Sequence, residues 1–130
     1  MRVAIIGTEL SNLICAHTLL DQHPEMELHL IEERPETGLM GEGPGLLNGH
    51  FEELFSREWH HHLGSQQPNP ESSALRRSWL EKSVASKLSE RGAVIHLRTH
   101  PTIDSEGEKT SLFLTGAGLT SERELVVDHL

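Results

Sequence analysis

The first turn of the chain combines residue types and spacing that point to a definite chemistry. An apolar run, Val3 to Ile6, ends at Gly7, and a helical pattern begins at Ser11. In a strand–turn–helix unit, the backbone N–H groups of the turn and the positive end of the helix dipole favour an anion. A dinucleotide site adds three glycines spaced G-x-G-x-x-G, which allow a tight turn, close approach of the pyrophosphate and close packing of the helix on the strand. The sequence therefore directs attention to an anionic, phosphate-bearing ligand at this turn.

The glycine spacing is met at one position of three. Gly7 holds the first position, whereas Glu9 stands at the second and Asn12 at the third. Glu9 adds bulk and negative charge where a phosphate must approach, and two like charges about 4 Å apart repel by roughly 4 kcal/mol at an effective dielectric constant near 20. Glu9 can instead turn outward as a first-turn helix acid, which the dipole favours. The candidate cofactor contacts of the turn are Gly7, Thr8, Glu9, Leu10, Ser11 and Asn12.

An acid follows at the end of the next apolar stretch. Glu32 closes the segment that begins at Glu27, and it lies 20 residues after Asn12. A carboxylate in that place can accept hydrogen bonds from the hydroxyl pair of a ribose. The competing interpretation is an exposed acid at a strand end.

The elements that must position these residues form a strand, a helix and a second strand. The hydrophobic pattern predicts a strand at 2–7, a helix at 11–22 that Pro24 stops, and a strand at 27–32. A βαβ unit of this kind is parallel and right-handed. It places the first turn and Glu32 at the same edge of a sheet.

The rest of the chain contains one clear helix and three further strands. The pattern predicts a helix at 73–91 with Ser73 as its N-cap and Gly92 as its stop, and strands at 93–97, 110–115 and 124–127. Residues 34–72 are rich in glycine and proline, with a helix expected within 46–59 and a flexible stretch near 64–72. Gly41 to Gly45 is either a turn near a cofactor edge or a flexible connector, and the second is favoured.

These elements predict one α/β domain over residues 1–130, a Rossmann-like three-layer domain with a mainly parallel sheet and a small antiparallel excursion. The strands at 2–7, 27–32 and 93–98 should lie side by side, and residues 110–115 should belong to the excursion.

Composition limits the classes of partner. Eleven Lys and Arg against 20 Asp and Glu give a formal net charge of −9, which disfavours nucleic acid and an anionic membrane surface. Cys15 is the single cysteine, which excludes an intrachain disulfide and suits a reducing compartment. No segment reaches the roughly 18 apolar residues of a membrane span. We expect a cytoplasmic protein, with a protein partner or a homodimer as its possible associations.

The remaining reactive residues are not assigned to a functional site. The three adjacent histidines at 60–62 would point in different directions on a helix, so they are interpreted as a surface run and not as a metal site. Cys15 is expected to be a buried, inert thiol in the first helix. No catalytic residue and no metal ligand is assigned.

Four ordered segments resemble the FAD-dependent oxidoreductases of the aromatic-hydroxylase type. Residues 2–16 resemble the family's opening strand, turn and helix, and residues 30–38 (LIEERPETG) its second strand, acid and following Arg-Pro stretch. Residues 77–94 are similar to the family's R-x-x-L-x-x-x-L helix and next strand, and residues 124–127 to the strand before its second flavin contact. The order and spacing of the four segments are more specific than any one of them.

The resemblance implies a cofactor and roles for particular residues. The cofactor would be FAD, with NAD(P) as the other possibility. Gly7 to Ser11 would face the pyrophosphate, Glu32 the adenosine ribose, Arg34 the adenine end and Arg77 the flavin side.

The positions at which the sequence departs from the family leave more than one function open. The glycine loop is altered at Glu9 and Asn12, and the family continues beyond the point where this sequence ends at Leu130. The sequence also lacks the family's substrate domain, so it is expected to be incomplete for catalysis alone. We therefore expect a dinucleotide-binding-like domain of an oxidoreductase, either standing alone or cut from a longer flavoenzyme. The alternative is a non-catalytic interaction module that keeps the fold without binding a cofactor.

Overall fold

The structure is a computed structural model that describes residues 1–37, 44–46, 59, 74–116, 118–119 and 121–130. The helices are α1 (Leu10–Gln22) and α2 (Arg77–Glu90). The strands are β1 (Arg2–Ile6), β2 (Glu27–Ile31), β3 (Pro44–Leu46), β4 (Ala74–Arg76), β5 (Val94–His96), β6 (Thr99–Asp104), β7 (Thr110–Gly116) and β8 (Arg123–Val127).

A parallel sheet forms the centre of the fold. Its strand order is β1-β2-β5, with Ile5 opposite Leu30 and Leu30 opposite Ile95, so the three strands predicted to be neighbours are neighbours. The outer side of β1 is bridged in parallel by His129, opposite Val3. Strand β1 is thus the outer strand of this sheet, and residues 128–129 border its free side through the bonds Ala4 N–H to His129 and Asp128 N–H to Arg2.

One face of this sheet is covered by the two helices. Side chains alternate along a strand, so Val3, Leu28 and Leu30 lie on the helical side. They pack with residues of α1 and α2 that recur at helical spacing. The helical members of this cluster are Leu13, Ala16, Leu20, Leu80, Val84, Ala85 and Leu88.

The other face carries an antiparallel sheet of order β6-β7-β8. Ala4 and Ile31 of the parallel sheet pack there with Leu112, Leu114 and Val127. The predicted antiparallel excursion is confirmed as β7. The sequence analysis missed β6, because THPTID has no apolar alternation and its strand conformation depends on pairing with β7. The fold is thus mixed α/β with a parallel and an antiparallel sheet.

The start of the second helix is a correction. Helix α2 begins at Arg77 and not at Ser73, because Ala74–Arg76 pair antiparallel with Pro44–Leu46. That pairing also places Pro44 and Gly45 in a strand and not in a flexible connector. The stop at Gly92 is confirmed, since its φ of +96° lies in the region that glycine tolerates.

Some predictions fall outside the described residues, and the interpretation of Cys15 is also wrong. The flexible stretch near 64–72, the histidines at 60–62 and most of the helix expected within 46–59 are not described. Cys15 is exposed, so its interpretation as a buried thiol is wrong: the side chain lies on the outer side of α1. Neither of the helices in the described ranges is long and apolar enough to span a membrane.

Candidate functional site

The first turn has the backbone geometry that an anion site needs. Gly7 has a φ of +95°, a conformation that L side chains rarely adopt, and its N–H donates to the Ile31 carbonyl at 2.7 Å. Helix α1 begins three residues later, with Glu9 as its extended N-cap residue. The turn is thus tied to the carboxyl end of β2.

Asn12, at the third glycine position, closes over this turn. Its side-chain amide donates to the Ile6 carbonyl at 3.0 Å. A Cβ added at Gly7 would lie 3.1 Å from the same amide nitrogen. The side chain that replaces a glycine therefore stabilises the end of β1 and lies directly against the turn.

Glu9 contributes negative charge at the mouth of the site. Its side chain is exposed, and it makes no capping hydrogen bond within the described part of the helix. The hydrogen bonds to Glu32 are the main reason why the pKa of Arg34 is raised, and the charge of Glu9 adds to that effect. Glu9 therefore acts on this site through its charge.

Glu32 is the most heavily bonded side chain of the site. It follows the last residue of β2 and is only 5% exposed. Thr8 donates to Oε2 through its backbone N–H at 3.0 Å and its hydroxyl at 2.6 Å. Arg34 donates to Oε1 through its backbone N–H and Nε, both at 3.0 Å, and to Oε2 through Nη2 at 2.9 Å. Among the described residues, the carboxylate thus accepts five hydrogen bonds.

These bonds hold Glu32 in its charged form. Burial by itself raises the pKa of the carboxyl, but the hydrogen bonds from Arg34 and Thr8 outweigh it and lower the pKa to about 2. Glu32 is therefore a buried anion at neutral pH. Its position next to the turn means that the Thr8 N–H, which a ligand phosphate could have used, already binds an internal anion.

Thr37 extends this polar network and was not identified from the sequence. Its buried hydroxyl donates to the Thr8 hydroxyl at 3.1 Å, forming a chain from Thr37 through Thr8 to Glu32. The backbone of Glu32 is held as well, since its N–H donates to the His96 carbonyl and its carbonyl accepts from Thr99. A threonine five residues after an acid carries no distinctive sequence signal, so only the fold identifies it.

The remaining candidate residues are placed differently. Leu10 is half-buried and packs against the helical core cluster, whereas Ser11 is exposed. Arg77 is the first residue of α2. Thr8, Glu32 and Arg34 are therefore the predicted residues that the structure joins by direct hydrogen bonds.

A groove adjoins this network on the helical side of the sheet. It runs between α2 and the loop after β2 and has a volume of about 550 Å³. Thr37 is at once a member of the polar network and a wall of the groove. The other lining residues are Glu36, Lys82, Ala85, Ser86, Ser89, Ile95 and Leu97. Within the described ranges, no group of three or more His, Cys, Asp or Glu side chains is arranged to hold a metal ion.

Comparison with known proteins identifies the fold. No family model and no curated protein matches the sequence. Three solved structures share the fold, at TM-scores of 0.69 to 0.71. CabE, an aromatic hydroxylase from angucycline biosynthesis, is 17% identical with a TM-score of 0.70, over 96% of this chain and 29% of CabE.

The other two structures are flavin proteins by their descriptions. CmlS, a flavin-dependent halogenase, is 18% identical with a TM-score of 0.69, over 98% of this chain and 28% of CmlS. CtdE, solved with FAD and a substrate, is 12% identical with a TM-score of 0.71, over 98% of this chain and 36% of CtdE. This chain thus has the fold of part of these three proteins, which supports the family resemblance at the level of fold. It spans about a third of the length of these enzymes.

Proposed function

We propose that this chain is a dinucleotide-binding-like domain of the FAD-dependent oxidoreductase type, Rossmann-like in its three layers and incomplete for catalysis alone. The observation that carries the proposal is the meeting of the Gly7 turn, the start of α1 and the buried Glu32 at the carboxyl ends of adjacent parallel strands. Ligands of open α/β sheets bind at that edge. FAD is the proposed cofactor because CmlS is flavin-dependent and CtdE holds FAD, and NAD(P) is the second choice.

The residues present fit a dinucleotide in backbone geometry but oppose it in side chains. Gly7 has the φ that a tight phosphate turn requires, and the N-terminus of α1 follows it. Against this, Glu9 is an exposed acid where the second glycine would stand, and the Asn12 amide lies over the turn. The hydrogen-bonding capacity of Glu32 is also in use within the protein. Weak affinity, with a dissociation constant above about 10 µM, is the expected result.

An interaction module that binds no cofactor is the second candidate function. The observation that favours it is that the Glu32 carboxylate already accepts five hydrogen bonds from Thr8 and Arg34, so its charge is satisfied within the protein. A protein partner or a second copy of the chain would then be its ligand. In the first candidate function, redox chemistry would come from a bound flavin or nicotinamide and not from the side chains of this site.

The test is repair of the turn. Calorimetric titration with FAD and with NAD compares the wild type with Glu9→Gly/Asn12→Gly. The first change removes a like charge and a side chain from the pyrophosphate path, and the second frees the space over Gly7. We expect at least tenfold tighter binding, which corresponds to about 1.4 kcal/mol.

Glu25→Gly is the matched control for the change in net charge. Glu25 is exposed and precedes β2, at the opposite end of the sheet from the site. This variant should bind like the wild type. A folded double variant that binds neither FAD nor NAD would reject the dinucleotide site and favour the interaction module, whereas nanomolar binding by the wild type would show that Glu9 does not oppose the ligand.

A further inference from the structure

We infer that Arg34 is an internal lock on Glu32: its guanidinium occupies the carboxylate that a ribose would use, and a ligand reaches Glu32 only when the Arg34 side chain moves away. The inference rests on the proposed function, because it concerns the same site. It identifies Arg34 as a determinant of which ligands enter.

The first step of the inference rests on the number of hydrogen bonds that the Glu32 carboxylate accepts. An ionised carboxylate offers about four lone-pair sites. Oε2 of Glu32 accepts three bonds from Thr8 and Arg34, and Oε1 accepts two from Arg34. A ribose diol that donates two hydrogen bonds therefore needs some of the present donors to leave.

The two donor residues differ in their freedom to leave. Thr8 is fully buried and tied to Thr37, so its bonds belong to the core of the turn. The Arg34 side chain is 26% exposed, so part of it already contacts solvent and it is the donor that can leave. Release of the Arg34 side chain reduces the five bonds to three and frees a site on Oε1, while the two Thr8 bonds to Oε2 still orient the carboxylate.

The charge of Arg34 indicates which class of ligand can draw its side chain away from Glu32. The guanidinium is charged at all relevant pH values and pairs with planar anions through two parallel hydrogen bonds. A ligand that carries only a sugar and a base offers it no replacement for the carboxylate. A phosphate next to the ribose does, because it accepts hydrogen bonds from the guanidinium while the freed Oε1 of Glu32 accepts a ribose hydroxyl. The lock thus selects phosphorylated nucleosides over unphosphorylated ones.

The lock is first measured without any ligand. Carbon-13 NMR follows the titration of the Glu32 carboxyl in the wild type, in Arg34→Met and in Arg34→Lys. In the wild type we expect Glu32 to titrate near its pKa of about 2. Arg34→Met should raise the pKa of Glu32 above its wild-type value, because burial then acts against the charged form with only Thr8 and one backbone N–H left to oppose it. Arg34→Lys keeps the positive charge but not the planar set of N–H donors. The pKa of Glu32 in this variant should therefore lie between the wild-type value and the Arg34→Met value. Arg34→Lys also provides a folded variant if Arg34→Met does not fold.

Arg2→Met is the matched control for the loss of one positive charge. Arg2 pairs with Glu27 at 2.9 Å, at the amino ends of the strands and away from the site. This variant should leave the titration of Glu32 unchanged. A Glu32 pKa near 4.5 in the wild type would refute the lock. The same rise of the Glu32 pKa in Arg2→Met as in Arg34→Met would also refute it.

Ligand binding tests the consequence of the lock. Calorimetry compares ADP, 2′,3′-dideoxy-ADP and adenosine on the same variants. Arg34→Met should discriminate ADP from the dideoxy compound at least tenfold more strongly than the wild type does, because Glu32 is then free to accept the diol. The wild type should bind ADP and not adenosine. Equal discrimination in the wild type and Arg34→Met would overturn the inference.

The two proposals fail separately. If Glu9→Gly/Asn12→Gly binds ADP or FAD but Arg34→Met gains no diol discrimination, the proposed function stands and the lock is rejected. If no variant binds any of these ligands, the proposed function is rejected together with ligand-driven release, and the carboxyl titration alone decides whether Arg34 holds Glu32.

Discussion

At the scale of single residues, Gly116 is the position where two stretches of backbone approach most closely among the described glycines. Its φ is +105°, and an added Cβ would lie 2.3 Å from the carbonyl oxygen of Arg98. Arg98 is itself in the left-handed region, with a φ of 51°. It connects the parallel sheet to β6, and its N–H donates to the Arg34 carbonyl at 3.0 Å. Gly116 therefore supports the segment that carries the candidate lock.

Gly116→Ala should lower the free energy of unfolding by about 3 kcal/mol, combining roughly 1–2 kcal/mol for the left-handed conformation with 1–3 kcal/mol for overpacking. Gly107→Ala is the matched control, because its φ is +101° but nothing lies within 4 Å of its added Cβ. It should lose the conformational part alone. Urea unfolding measures both, and equal losses would contradict the role of the Arg98 contact.

At the scale of elements, one buried imidazole joins the two helices. Nε2 of His17 lies 3.0 Å from the Val84 carbonyl, and Arg91 donates to Nδ1 at 2.9 Å. Since a guanidinium can only donate, Nδ1 is the acceptor and Nε2 carries the proton. Arg91 also pairs with Asp21 at 2.7 Å. The contact thus requires neutral His17.

The helix contact predicts a loss of stability in mild acid. Burial lowers the pKa of His17; the Val84 carbonyl and Asp21 act against this, whereas the charges of Arg91 and Lys87 reinforce it. A folded pKa below the unfolded value of 6.5 means that the unfolded state binds the proton first. Stability is then fully present above pH 6.5 and falls as the pH decreases below it, by up to about 1.4 kcal/mol per pH unit.

Urea unfolding at pH 7.5 and pH 5.5 measures this loss. His17→Gln should remove part of this loss of stability. His96 should account for another part, because burial and the neighbouring His29 and Arg123 also lower its pKa. The matched control is His23→Gln, which removes an exposed imidazole and none of these helix contacts. A wild-type slope that persists in His17→Gln would contradict the assignment.

At the scale of the whole molecule, one parallel sheet is shared by two hydrophobic clusters. The helices cover one face, and the antiparallel sheet covers the other through Leu112, Leu114 and Val127. The ends of the described chain also meet, since the Asp128 carboxylate accepts the Arg2 N–H at 2.8 Å. This arrangement favours a single cooperative domain.

Leu112→Ala should therefore destabilise the whole domain by about 2–5 kcal/mol, because its side chain is fully buried and leaves a cavity. Val126→Ala is the control on the neighbouring strand, where the side chain is 37% exposed, and it should cost less than about 1 kcal/mol. Calorimetry and circular dichroism should show one coincident transition in both variants. Separate transitions would mean that the antiparallel sheet unfolds independently.

The sequence by itself determined the βαβ unit and the position of the acid at its edge. The apolar run of β1, the helical spacing of α1 and the short second strand are local patterns that can be identified from neighbouring residues of the sequence. The same patterns placed Gly7 and Glu32 together, because parallel strands present their carboxyl ends at one edge. The family resemblance added FAD as an expected ligand, and the comparison with solved structures supports that resemblance at the level of fold alone.

Tertiary structure alone decided how the site is filled. Whether Glu32 is free or saturated depends on Thr8, 24 residues earlier, and on the conformation of the Arg34 side chain. Strand β4 displaced the predicted first turn of α2 because its partner β3 lies about 30 residues away in the chain. Periodicity predicts which face of an element is apolar, but it does not predict which distant polar group reaches a given atom. Whether a candidate site is already hydrogen-bonded within the protein is therefore decided by contacts that only the fold brings about.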